Sequence, residues 1–119
     1  MAIHTELSIY KLAFDLLSLA TDITRNMPRD VKASLGGKIH SGCIDMMVLI
    51  ARANAARDKV PHITELLEHQ HVVELLLRLA HEKKFISVKM WSTSLELNTR
   101  IGKQAGGWLK QSRLTAPVA

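Results

Sequence analysis

Apolar side chains recur at steps of three and four along nearly the whole chain, and strand-like alternation appears nowhere in it. That spacing is the period of an α-helix and gathers such residues on one side. The recurrence breaks at Asn26-Met27-Pro28, around Asp58-Lys59-Val60-Pro61, and near Phe85-Ile86-Ser87. These breaks divide the chain into four long helical blocks.

The first block runs from about Glu6 to Asn26, with Thr5 or Ser8 as its start. Leu7, Tyr10, Phe14, Leu17 and Thr21 form one stripe, and Leu12, Leu16, Leu19 and Ile23 form a second. Pro28 stops the helix, because the residue before a proline is pushed out of helical geometry. The second block runs from about Arg29 to Arg57, with Leu35, Ile39, Gly42, Met46, Leu49 and Ala53 on one face. Gly36-Gly37 weakens it by about 1 kcal/mol per glycine relative to alanine, so one strained helix is expected. The third block, Pro61 to about Lys84, opens on a proline, where a missing N–H is harmless. The fourth runs from about Ser87, a suitable N-cap, to Gln111, with a stripe of Met90, Ser94, Leu97, Ile101, Ala105 and Trp108.

Short connections between long helices favour antiparallel neighbours. The expected fold is all-α, an antiparallel up-down-up-down four-helix bundle over residues 1–112, with a frayed tail at 113–119. A chain of 119 residues is one domain, able to bury roughly two-thirds of its unfolded surface. No apolar run reaches a membrane-spanning length. Glu6 and Asp15 flank the first apolar stretch without a basic region, so no secretory signal is expected. The single cysteine, Cys43, rules out an internal disulfide framework and points to a reducing compartment such as the cytoplasm.

The third block carries more apolar surface than one bundle uses. Val72, Val73, Leu75, Leu76, Leu77, Leu79 and Ala80 cover an arc of roughly 200° at 100° per residue. Apolar surface left wet marks an interface. Val72, Leu75 and Leu79 are therefore the expected contacts of a homo-oligomer.

Catalytic patterns are weak. His62, Glu65 and His69 share adjacent turns, and Glu68 and His71 have a Glu-x-x-His spacing. A di-iron bundle needs two such motifs and further carboxylates, so neither a metal nor another cofactor is expected. Cys43 reads as a small packing residue. No phosphate-binding glycine loop follows a strand. No enzymatic activity is expected.

Charge is more informative. Sixteen lysines and arginines against eleven acids give a net charge of +5, which favours a polyanionic partner. After Glu96 no acid remains, whereas Arg100, Lys103, Lys110 and Arg113 do. Arg100, Lys103, Gly107 and Lys110 step by three and four and share a face turned away from the apolar stripe. Gly106-Gly107 keeps the surface between them flat. A second cationic group is Arg25, Arg29 and Lys32, with Lys38 further along; a third is Arg52, Arg57 and Lys59. Such groups contact phosphates without reading sequence.

Several segments carry a resemblance. Ile9-Tyr10-Lys11, Pro28-Arg29 leading to Leu35-Gly36, Arg52-Ala53-Asn54 and the terminal Gly106-Gly107-Trp108 are similar to the accessory variability determinant (Avd) family of diversity-generating retroelements. The resemblance runs from about Glu6 to Ser112. It implies a non-catalytic four-helix protein assembled into a homopentameric barrel, bacterial, archaeal or phage-encoded. It further implies binding to the element's reverse transcriptase and to template RNA or cDNA, in support of mutagenic retrohoming. Four-helix proteins associated with ribosomal RNA are similar too; the block order and the Gly-Gly-Trp ending favour the Avd side.

Overall fold

Four helices account for nearly all of the computed structural model, which describes Ile3 and residues 7–115. No strand occurs among the described residues. Helix α1 is Ser8–Arg25. Helix α2 starts as Arg29–Val31, widens into a π-helical turn at Lys32–Gly36 and continues as Gly37–Ala55. Helix α3 is Val60–Glu82 and α4 is Val88–Leu114. Arg113 and Leu114, expected in a frayed tail, are helical; residues 116–119 lie outside the described residues, as does Thr5, one of the two expected starts of α1.

Local chemistry sets these boundaries. Leu7 precedes α1 in extended backbone with no side-chain cap. Ser8, the other expected start, instead accepts a hydrogen bond from Gln104 Nε2 at 3.1 Å. Pro28 separates α1 from α2, and its carbonyl accepts the N–H groups of Val31 and Lys32. The strain expected at Gly36-Gly37 takes the form of the π turn, which ends at Gly36. A Cβ on Gly36 would lie 2.8 Å from Thr24 Cγ2 and 3.2 Å from Met27 Sδ, so only glycine lets the chain pass this close to α1. Thr24 Oγ1 donates to the Gly36 carbonyl at 3.3 Å. At α4 the expected cap is present: Ser87 Oγ accepts the Met90 N–H at 3.1 Å.

Helix α1 packs on α2 and α4, and α3 packs on the same two. The resulting body measures 50 × 22 × 22 Å. Its interior is aliphatic: Leu12, Leu16 and Ile23 from α1, Ile39, Met46 and Ile50 from α2, Ile63, Leu66, Val73 and Leu77 from α3, and Ile101 from α4. Each such side chain contributes about 1.5–3 kcal/mol by leaving water.

Two stripes need correction. In α1 the second stripe supplies the buried Leu12, Leu16 and Ile23, extended by Ile9, Ala13 and Ala20, with Leu19 half-buried, whereas Phe14 of the first is exposed. At 100° per residue, position 14 lies on the side of α1 turned away from that buried line. In α4 the buried line is Ser94, Asn98, Ile101, Ala105, Leu109 and Ser112; Met90, Leu97 and Trp108 are only half-buried.

Polar residues lie inside α4 because α3 and α4 approach closely enough to bond. Gln70 Nε2 donates to the Asn98 carbonyl at 3.2 Å, and Asn98 Nδ2 donates to the Gln70 carbonyl at 3.1 Å. Each bond is worth about 0.5–1.5 kcal/mol net. Gly102 makes room for this clasp, since a Cβ there would lie 3.1 Å from three atoms of the Gln70 amide. On the other side of α3, a Cβ on Gly42 would meet Val73 Cγ2 at 2.8 Å.

Cys43 is fully buried in this core and its thiol is pushed up to about 12 by burial. The thiolate therefore forms first in the unfolded chain, near the ordinary value of 9.0, and stability falls as pH rises from about 9 towards 12. Replacement of Cys43 by alanine should remove that component of the alkaline decline, measured by urea titration across this range. In the native protein at pH 8, a thiol reagent should leave Cys43 unmodified until denaturant is added.

The glycines give a contrasting set. A Cβ on Gly106 or Gly107 meets nothing within 4 Å, so G106A/G107A should raise stability by about 1–2 kcal/mol through helix propensity alone. G42A should lower it by about 1 kcal/mol, because the stiff Val73 must yield. Both changes are readable in thermal or urea unfolding.

Candidate nucleic-acid interface

Arg100, Lys103 and Lys110 are exposed on the side of α4 opposite its buried line, and Arg113 is exposed on its flank. Arg100 and Lys103 flank a shallow groove with Gln104. None of the four forms an ion pair among the described residues. Gly106 and Gly107 are exposed between them, leaving a side-chain-free step on a cationic face.

The other cations have different surroundings. Arg25 lies 3.9 Å from Asp22, both exposed, a contact worth little in water. Arg29 and Lys32 are exposed at the start of α2. Lys38 lines a groove between α2 and α3 with Asp45, Glu68 and His69. Arg52 lines a neighbouring one with Asp45, Glu65 and His69. Those carboxylates offset both charges locally, an arrangement the linear sequence partly hides because Glu65 and Glu68 come from another helix. Arg57 is exposed. Lys59 is a helix cap rather than a free surface cation: its Nζ donates to the carbonyls of Ala53, Asn54 and Ala56 at 2.9–3.0 Å. It closes α2, where the terminal carbonyls lack partners of their own.

Large apolar side chains are also exposed. On α3, Val72, Leu75 and Leu79 are 54%, 64% and 41% accessible. Ile44 and Val48 of α2 and Phe14 of α1 are exposed as well. On α4 only Val88 and Leu114, at its two ends, share this property. The surface is thus divided: large exposed apolar side chains over α1, α2 and α3, and cations without an ion pair along α4.

The histidine cluster disperses. His69 Nδ1 is 3.0 Å from the Glu65 carbonyl, and its Nε2 is 3.8 Å from Asp45. Glu65, Glu68 and His71 are exposed and His62 is half-buried. No group of three metal-ligating side chains converges among the described residues, and no described helix is long and apolar enough to cross a membrane.

A family model described as bAvd-like matches residues 7–112. No curated protein matches the chain.

Proposed function

The chain belongs to the bAvd-like family, and from this we propose that it is a non-catalytic accessory protein of a diversity-generating retroelement. In this reading it binds the element's reverse transcriptase and nucleic acid, and supports mutagenic copying of template RNA into cDNA. The observation that carries the nucleic-acid part is the α4 face, where Arg100, Lys103, Lys110 and Arg113 stand exposed and form no ion pair among the described residues. An RNA or RNA–cDNA hybrid is held there through its phosphates, with binding that weakens as salt rises.

The assembly is a homo-oligomer, a pentameric barrel. Its apolar contacts are Val72, Leu75 and Leu79, which are wet in a single protomer. Closed rings use head-to-tail contacts between two different patches, and the exposed Phe14 of α1 offers a second apolar surface. Five chains of net charge +5 would carry about +25, a strong electrostatic guide for polyanions at low salt. Within the protomer the helices run up-down-up-down. Paired positions support that order: Ser8 with Gln104, Thr24 with Gly36, Gly42 with Val73, Asp45 with His69, Gln70 with Asn98, and His81 with Trp91. Between α2 and α3, and again between α3 and α4, numbers rise along one helix as they fall along the other.

Co-expression with the reverse transcriptase of the same element, followed by light scattering on the co-eluting species, tests the reading. Several copies of this chain per polymerase are expected. Two folded proteins that elute separately with their RNA present would overturn it.

Two variants resolve the parts. R100E/K103E/K110E should keep its helicity and oligomeric mass. Its affinity for RNA should drop, and the slope of log K against log salt should flatten by about 2–3; an unchanged slope would remove α4 from the interface. L75D/L79D should keep its helical circular dichroism and lose oligomeric mass in the light-scattering measurement.

A further inference from the structure

The bundle end formed by the α1–α2 and α3–α4 connections has a charge pattern that its own helices do not call for. Residues 22–32 and 82–89 hold six lysines and arginines against three acids, Asp22, Asp30 and Glu82. The six are Arg25, Arg29, Lys32, Lys83, Lys84 and Lys89, and all are exposed. In the up-down-up-down order they share one end. Ser8 bonds Gln104, and the eighteen residues from Ser8 to Arg25 match the eighteen back from Gln104 to Ser87.

Part of this charge has an internal use. Arg25 in the last turn of α1, and Lys83 just past α3, oppose the negative ends of those helices. Arg29 and Lys89 are the reverse case. They occupy the first turns of α2 and α4, where the helix dipole disfavours a cation. Lys84 is the second anomaly. It has φ 62°, the one non-glycine residue with positive φ among the described residues. It closes α3 in a left-handed turn, with Lys84 N–H on the His81 carbonyl at 3.0 Å and Phe85 N–H on the Ala80 carbonyl at 2.8 Å. Glycine is the residue such a turn favours. A side chain kept at a strained position points to a use outside the fold.

We propose that this loop end is a second phosphate-contacting surface, built by Lys83, Lys84 and Lys89 together with Arg25, Arg29 and Lys32. It rests on the nucleic-acid reading of α4 and extends it. Lys89 starts the helix that carries Arg100 to Arg113, and α4 with its 27 residues is about 40 Å long. One polyanion therefore lies along α4 and turns over the loop end, and the two contacts reinforce each other as linked sites. A duplex covering that length has about 12 base pairs at 3.4 Å each.

The test measures binding of labelled duplexes of about 8 and about 24 base pairs to the full chain. Wild-type protein, R100E/K103E/K110E, K83E/K84E/K89E and K84G are compared at low salt. K83E/K84E/K89E should weaken the long duplex about tenfold or more and the short one by less than about twofold. K84G should raise Tm by about 2–5 °C, because the strain is gone, while weakening the long duplex measurably. Equal loss on both lengths, or no loss on either, overturns the proposal. So does K84G binding both duplexes like wild type. Capture of an acidic polypeptide such as polyglutamate through Lys83 and Lys84, with both duplexes unaffected, would assign the end to an acidic protein partner and overturn it too. If wild-type protein binds neither duplex, it is the nucleic-acid reading of α4 that fails.

Discussion

Reciprocal hydrogen bonding between Gln70 and Asn98 fixes how α3 lies against α4, and much of the surface follows from it. Each amide reaches the backbone carbonyl of the other residue, so a one-turn slip would break both bonds and leave buried polar groups unpaired. Gly102 is part of the same device because a side chain there would displace the Gln70 amide. With α4 held in that rotation, Ser94, Asn98, Ala105 and Ser112 face inward, and Arg100, Lys103 and Lys110 face out. A polar seam that sets register in this way also sets which face a partner meets.

Close approach is the second constraint. Gly36 admits the α1–α2 contact and Gly42 the α2–α3 contact. Each helix has one face for this interior, and apolar residues of α1 and α3 that lie off that face stay outside whatever their size. Phe14, Val72, Leu75 and Leu79 are therefore exposed by their position around the helix, and not for want of apolar character. Surface of this kind is stable in water when another subunit covers it.

Elsewhere the chain forgoes stability. Gly106 and Gly107 sit in the interior of a helix with open space above them, where alanine would be favoured by about 1 kcal/mol each. Lys84 occupies a left-handed turn that glycine would fill with less strain. Both features lie on cationic surfaces. A flat step between cations lets a backbone come close, and a lysine at a turn projects charge from the end of the bundle. Local rules tend to be broken where a protein meets something else.

The four helices were legible in the linear pattern because period and punctuation are local properties: Pro28, Pro61 and Ser87 mark helix starts whatever the neighbours are. The basic run after Glu96 was equally legible, since no acid follows it in the chain. The α1 stripe that would be buried was not, because two stripes of equal period compete and only packing chooses between them. Nor were the fates of individual cations. Lys59 became a cap through carbonyls three to six residues away, and Arg52 and Lys38 came to lie beside acids of α3. The clasp was hidden too, as Gln70 and Asn98 are 28 residues apart and neither is apolar. Helical class, the breaks and the excess of positive charge are properties of the linear chain. Tertiary structure alone decided which charges stay uncompensated and which apolar residues stay wet, because both depend on what a neighbouring helix brings within a few ångströms.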